Sequence, residues 1–409
     1  MSDARTEPAL AVPPAPATAP GAAPGLPPGL LAPVTGTGGL AAVLPGAAGA
    51  LGVPLTTATG IESGTARAAL ALPRAERVCV VLVDGLGHVN LAERAGHAPF
   101  LRSLLPDARP LTSTFPSTTA AAVGAFGTGT APGRTGMLGY TQRNPATGGL
   151  ANMVSWEGAP PPAELQREPS LLQRLADAGT AVTSTGPGRF AGSGMTLAAL
   201  RGGTYAAAEA LAGRVDAAVR ALARPGLVYL YWGEVDKAGH HHGSTSWQWG
   251  DELEALDREL ARLVRSVPRG TLVLVTADHG MVDVDPALRR DVATDPVLAR
   301  GVTLVGGEPR AVHVYTEPGE TTAVAARWRD VLGDDALVLE REEVLARGLL
   351  GPDPRTEAVA AAGDVIVALR GRATVVDSRT QTPASLALVG VHGSLTEREM
   401  RVPLLVAGT

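Results

Sequence analysis

The sequence predicts an α/β protein built on a doubly wound, mostly parallel sheet with helices on both faces, and three features carry that reading. Short continuous β-branched runs recur along the chain, helical patterns separate them, and the strongest runs end beside an aspartate or a histidine. Apolar runs without alternation suit parallel strands, because helices cover both faces of such a sheet. The runs are Val78–Val83, Leu227–Trp232, Leu272–Thr276, Asp364–Leu369 and Val402–Val406. Between them, Ser170–Ala178, Ala206–Ala223 and Trp249–Val267 have helical spacing, the last with Leu253, Leu256, Leu260 and Leu263 on one face. Gly39–Val53 is expected as a short helix on the domain surface.

Domain organisation follows from composition. The 409 residues suffice for one large α/β domain or two smaller ones. Residues 8–61 carry no charge, but prolines at 13, 14, 16, 20, 24, 27, 28 and 33 interrupt any membrane-spanning helix. Residues 1–34 are expected as a disordered Ala/Pro-rich arm without the features of a signal peptide. The core domain is expected over 35–283 and 391–409, interrupted by a smaller inserted α+β subdomain over 284–390. A net charge of −5, with Lys237 the sole lysine, gives no basic field for nucleic acid. The single cysteine, Cys79, excludes an internal disulfide. Without a recognised leader or membrane segment, a cytoplasmic location is expected.

The polar residues at the strand ends carry the chemistry. Asp84 follows Val83, Asp236 and His240 follow Trp232, Asp278 and His279 follow Thr276, and His392 precedes the final run. In open α/β sheets the carboxyl edge is where ligands bind. A lone aspartate or histidine there is ordinarily a cap or turn former. Six such groups gathered at one edge are different: three carboxylates repel each other unless a divalent cation neutralises them. Asp236 and His240 are four apart, so on a helix both side chains project from one face. Imidazole and carboxylate without thiolate suit zinc, with manganese or iron as alternatives. Three aspartates and three histidines make two sites, and two metals form a clamp for displacement at phosphorus.

The segment Thr112–Thr119 ends where a helix should begin, since Ala120–Phe126 is a good helix former and Gly127-Thr-Gly129 closes it. Hydroxyls there are caps by default, yet a helix amino terminus also offers free N–H groups to a phosphate. A metal lowers the pKa of such a hydroxyl, so cap and nucleophile can share one place.

Taken in order, Val-Leu-Val-Asp84-Gly, Thr-Phe-Pro-Ser-Thr-Thr119 with Thr128-Gly129, Asp236-Lys-Ala-Gly-His240, Ala-Asp278-His279-Gly-Met and Val-His392-Gly resemble the alkaline phosphatase superfamily. The nearest branch is the nucleotide pyrophosphatase/phosphodiesterase group, and the likeness spans roughly residues 78–406. It implies that Asp236, His240 and His392 hold one zinc. Asp84, Asp278, His279 and the nucleophile would hold the other. Two registers compete for the nucleophile. A threonine directly before Phe-Pro selects Thr114, whereas ten residues before the helix-ending glycine selects Thr119. Helix length favours Thr119, with Thr118 and Thr114 left open. The branch would place a phosphoryl-holding asparagine where Tyr140 stands. Backbone N–H groups, Asn144, Arg189 and Lys237 are the substitutes, so Tyr140, Asn144 and Lys237 are taken as substrate-binding candidates.

The resemblance therefore implies a two-zinc hydrolase of phosphodiesters or nucleotide pyrophosphates, acting on a small-molecule phosphate ester or nucleotide through a phospho-threonine intermediate. Phosphomonoesterase, phosphonate hydrolase and phosphomutase chemistry reuse the same ligands. A sulfatase would need an oxidisable cysteine or serine as nucleophile, and Cys79 lies inside a strand. A metal-dependent binding module without turnover is the alternative from a different class.

Overall fold

Continuous apolar runs become the middle of the main sheet in the computed structural model, which describes residues 25–408. In chain order its strands are β1 (Arg77–Val83), β2 (Val182–Gly186), β3 (Thr204–Ala207), β4 (Gly226–Trp232) and β5 (Thr271–Thr276). A second sheet then uses β6 (Val302–Glu308), β7 (Ala311–Thr316), β8 (Ala336–Glu340) and β9 (Val365–Leu369). The chain returns to the main sheet in β10 (Leu404–Gly408).

The main sheet runs β10-β5-β1-β4-β2-β3, with every pair parallel except the antiparallel edge strand β10. Its helices include α1 (Val43–Ala50), α2 (Thr119–Thr128), α3 (Leu171–Asp177), α4 (Gly194–Ala199), α5 (Leu211–Ala221), α6 (Glu234–His242) and α7 (Trp247–Ser266). Both faces are covered. On β4, Tyr229 meets Phe126 of α2, with ring centroids 5.7 Å apart. Trp232, three residues on and so on the opposite face, lies under the Arg214 guanidinium of α5 at 4.6 Å. Register matters more for function: Val83 pairs with Trp232 and Leu82 with Thr276, so β1, β4 and β5 end level with one another. The residues after these strands therefore emerge at one place.

The second sheet, β6-β7-β9-β8, is wholly antiparallel. The apolar run Asp364–Leu369 is thus a central strand of this sheet rather than a parallel strand of the main one. It stays apolar because both its faces are buried, one against Val324 and Trp328, the other beside Leu350 and Met400. The last run is also altered. Pro403 splits it, leaving Arg401–Val402 to pair with Leu111–Thr112 and Leu404–Gly408 to run antiparallel along β5. Gly39–Val53 does contain a helix, α1, but Leu40, Val43 and Leu44 lie in the main core instead of on the surface.

Of the arm expected over residues 1–34, residues 1–24 lie outside the described residues. Residues 25–34 run along the core: Leu30 is buried and pairs with Thr396, and Leu31 N–H donates to Leu395 O at 2.7 Å. Among the described residues, no helix is long and apolar enough to cross a membrane.

Candidate active site

Four connections at the level ends of β1, β4 and β5 bring the predicted residues together. Asp84 tops β1, and its N–H continues the ladder to Trp232 O at 2.8 Å. Gly85 then turns with φ +70°, a conformation glycine adopts without penalty. A Cβ at that position would come within 2.8 Å of Asp236 Oδ1, so glycine also lets α6 approach β1. On α6, Asp236 and His240 are one helical turn apart, with Oδ2 and Nε2 separated by 3.1 Å. Asp278 and His279 follow β5 and are fully buried. His392 arrives through Gly390–Val391, which pairs with Val282–Asp283.

The histidines share one orientation device. His240 Nδ1 is 2.7 Å from Gly390 O, His279 Nδ1 is 3.0 Å from Gly280 O, and His392 Nδ1 is 3.0 Å from Ser117 O. A carbonyl only accepts, so each ring donates Nδ1–H and turns its Nε2 lone pair toward the cluster. The rings of His279 and His392 stack at 3.6 Å.

Two groups of ligand atoms result. Asp236, His240 and His392 form one, and Asp84, Asp236 and His279 the other. Around His279 Nε2 lie Thr119 Oγ1 at 3.2 Å, Asp84 Oδ1 at 3.4 Å and Asp278 Oδ2 at 3.5 Å. Four ligands held tetrahedrally about 2.0 Å from a zinc ion stand roughly 3.3 Å from one another, and these separations fall close to that value. Asp84 Oδ1, Asp236 Oδ1 and Asp278 Oδ2 are buried with no hydrogen-bond partner. Buried carboxylate oxygens are not left so without a partner of another kind. The donor set therefore fits divalent cations.

Electrostatics point the same way. Burial, then the neighbouring Asp278 and Asp236, push the Asp84 carboxyl well above its ordinary range, and burial raises Asp278 also. Burial would lower His240, but Asp236 reverses this and lifts the imidazole to about 9. Burial would raise Asp236, yet His240 and His392 hold it low. Burial and the adjacent His279 keep His392 well below the usual imidazole value. Tyr231 of β4 donates its hydroxyl to Asp84 Oδ2 at 2.5 Å and so fixes the carboxylate.

Thr119 is the first residue of α2, and Gly129 with φ +69° closes that helix. The first intrahelical bond is Ala122 N–H to Thr118 O at 2.9 Å, so the amides of Thr119 and Ala120 precede the ladder beside the cluster. Thr118, in the capping position, makes no side-chain cap; its hydroxyl donates to Glu308 Oε2 at 2.8 Å. Thr114 donates to Pro116 O. Of the three candidate hydroxyls, Thr119 is the one at hydrogen-bond distance from a cluster histidine. Ser117 N–H donates to Gly393 O at 2.9 Å, stitching this loop to the His392 loop.

The substrate-binding candidates are placed differently. Tyr140 is 44% exposed, and its N–H donates to Glu308 Oε1 at 2.7 Å, so that amide is occupied. Asn144 is spent in a local turn, donating to Gly158 O and accepting from Ala146 N–H. Lys237 turns outward and pairs with Glu234, and Arg189 stacks over Phe190 at 4.7 Å. Two residues not anticipated from sequence stand here instead. Tyr231 was hidden inside an apolar strand. Glu308 was hidden in the hairpin Gly306-Gly-Glu-Pro-Arg310, with no motif to mark it.

The family model for type I phosphodiesterase / nucleotide pyrophosphatase matches residues 78–395. A phosphopentomutase of Chelativorans sp. (strain BNC1) is 32% identical over 170 residues, 40% of this chain and 38% of that protein. The human ectonucleotide pyrophosphatase/phosphodiesterase family member 7 is 38% identical over 64 residues, 14% of each chain. The chain thus spans well under half the length of these curated relatives. Among solved structures, murine ectonucleotide pyrophosphatase/phosphodiesterase 5 aligns with a TM-score of 0.64 at 16% identity, covering 81% of this chain and 88% of its own. An inactive variant of it has been solved in complex with AMP. Phosphonoacetate hydrolase from Sinorhizobium meliloti 1021, in complex with phosphonoacetate, aligns with a TM-score of 0.64 at 21% identity over 87% of this chain and 93% of its own.

Proposed function

The chain belongs to the type I phosphodiesterase / nucleotide pyrophosphatase family, and from that premise we propose that it is a two-zinc hydrolase cleaving phosphodiesters or nucleotide pyrophosphates through a phospho-threonine intermediate on Thr119. The observation that carries this reading is Thr119 Oγ1 at 3.2 Å from His279 Nε2, at the open amino end of α2. Asp84, Asp278, His279 and Thr119 would hold one cation, and Asp236, His240 and His392 the other. When bound, the pair supplies Lewis acidity and makes the threonine hydroxyl easier to ionise. Thr119 Oγ1 gives up its proton to solvent and attacks phosphorus, the bond to the leaving oxygen breaks opposite it, that oxygen departs with the electron pair and takes a proton from solvent, and the phosphoryl group stays on Thr119. The amides of Thr119 and Ala120 offer N–H groups to the charge that builds on the non-bridging oxygens. Water then attacks phosphorus and restores the Thr119 hydroxyl.

AMP and phosphonoacetate in the solved relatives support a small phosphoryl compound as substrate. The test combines bound-metal analysis with turnover of bis-p-nitrophenyl phosphate, p-nitrophenyl phosphate and phosphonoacetate. Two metal equivalents with faster cleavage of the diester are expected. Preference for the monoester or the phosphonate would overturn the diester assignment, and bound metal without turnover would leave a binding module.

A further inference from the structure

Glu308 ends β6 and reaches from the second sheet to the nucleophile loop. It is 5% exposed. Both carboxyl oxygens accept from neutral donors, Oε2 from the Thr118 hydroxyl at 2.8 Å and Oε1 from the Tyr140 amide at 2.7 Å, which is the pattern of an ionised carboxylate. Its position is fixed from the other side too, because a Cβ on Gly393, next to His392, would lie 2.7 Å from Glu308 Cγ. Among the described residues no lysine or arginine pairs with it. Arg310, two residues on, is committed to Glu399 through two bonds of 2.7 and 2.9 Å. Its charge contributes to the raised His240 imidazole. Burial lifts the carboxyl to about 7, and the bonds donated by Thr118 and the Tyr140 amide act against that rise.

We propose that Glu308 makes the site selective for a singly charged phosphoryl group, a diester or a pyrophosphate linkage, over a dianionic terminal phosphate. This rests on the reading of the two clusters as a phosphoryl site. Three aspartates and Glu308 together balance two divalent cations, with the histidines neutral. A singly charged phosphoryl group then leaves the pocket with one excess negative charge, and a dianion adds a second with no further side-chain cation among the described residues paired to Glu308. Without Glu308 the pocket carries one positive charge, and a dianion gains about twice as much from that change as a monoanion does.

The test uses zinc-loaded full-length protein and Glu308→Gln, which keeps both hydrogen-bond partners in reach. Calorimetry compares inorganic phosphate at pH 8 with dimethyl phosphate, and kcat/KM is measured on mono- and bis-p-nitrophenyl phosphate. In the variant, phosphate binding should tighten about tenfold or more relative to dimethyl phosphate, and the monoester-to-diester ratio should rise by a similar factor. Ratios within twofold of wild type, in a variant that retains its zinc and its melting temperature, would overturn the proposal. Should the variant fail to fold, wild-type protein alone decides: phosphate bound tenfold more tightly than dimethyl phosphate overturns it, and phosphate bound no more tightly supports it. If wild type cleaves no ester yet the binding comparison goes as expected, the hydrolase reading falls and the charge selectivity stands.

Discussion

Thr119 Oγ1 and His279 Nε2 stand 3.2 Å apart, while Thr118 Oγ1, one residue earlier, faces away to Glu308. Extended backbone at Thr118, with φ −144° and ψ 151°, accounts for the divergence, because successive side chains of an extended segment point to opposite sides.

Thr119→Ala should therefore lower kcat at least about a thousandfold, as removal of a nucleophile does, while bound metal stays near two equivalents because aspartates and histidines still hold it. Thr114→Ala should retain most activity, since its hydroxyl is engaged with Pro116 O. Steady-state rates with metal analysis decide the matter. An active Thr119→Ala enzyme, or a dead and stably folded Thr114→Ala enzyme, would move the nucleophile to the earlier register.

His240 and His392 lie far apart in sequence yet face the same carboxylate, at 3.1 and 4.0 Å from Asp236 oxygens. Alanine at either should remove one metal equivalent and cost a hundredfold or more in rate, about the loss expected when a ligand sphere is broken. Chelation should also lower the melting temperature, because zinc at a hundredfold excess over its Kd stabilises the folded chain by about 2.7 kcal/mol. Identical melts with and without zinc, or full zinc occupancy in His392→Ala, would break the grouping.

How far the sequence reaches can be judged from single residues. Asp84, Asp236, Asp278 and His279 were legible because β-branched runs announce parallel strands and their carboxyl ends meet by register. The partners β2 and β3 were not. Val182-Thr-Ser-Thr-Gly186 has no apolar run, and the end of Thr204–Ala207 overlaps the alanine-rich stretch Ala206–Ala223, which reads as helix. Antiparallel pairing of Val365–Leu369 was equally hidden, since a strand buried on both faces looks the same in either direction. Glu308 was invisible for another reason: its meaning comes from a contact across 190 residues with Thr118, and no local pattern encodes that.

The same hairpin yields a stability prediction. Arg310 and Glu399 are both fully buried and joined by two bonds, and Glu399 also accepts from Ser394 N–H at 2.9 Å, close to His392. Arg310→Ala would leave a buried carboxylate without its cation and should cost about 3–5 kcal/mol. Urea unfolding of Arg310→Ala and of the double variant Arg310→Met/Glu399→Met measures this. The double variant should recover much of the loss, and equal destabilisation of both would show that packing, not the orphaned charge, dominates.

His313 on β7 gives a dependence on acid that does not involve the metal clusters. The ring is fully buried, its Nδ1 accepts from Gly363 N–H at 3.0 Å, and burial pushes the imidazole down to about 4. A neutral ring in the folded chain and an ordinary imidazole value of 6.5 mean that the unfolded chain binds the extra proton first. Stability from this group is complete above pH 6.5 and falls as the pH drops toward 4, by about 3 kcal/mol across the window. His313→Asn keeps an acceptor for Gly363 without a titrating ring, so its unfolding free energy should fall less steeply over the same range. Denaturant titrations of both proteins at pH 7.5 and 4.5 compare the slopes, and parallel slopes would mean that His313 is already charged, or already solvated, in the folded protein.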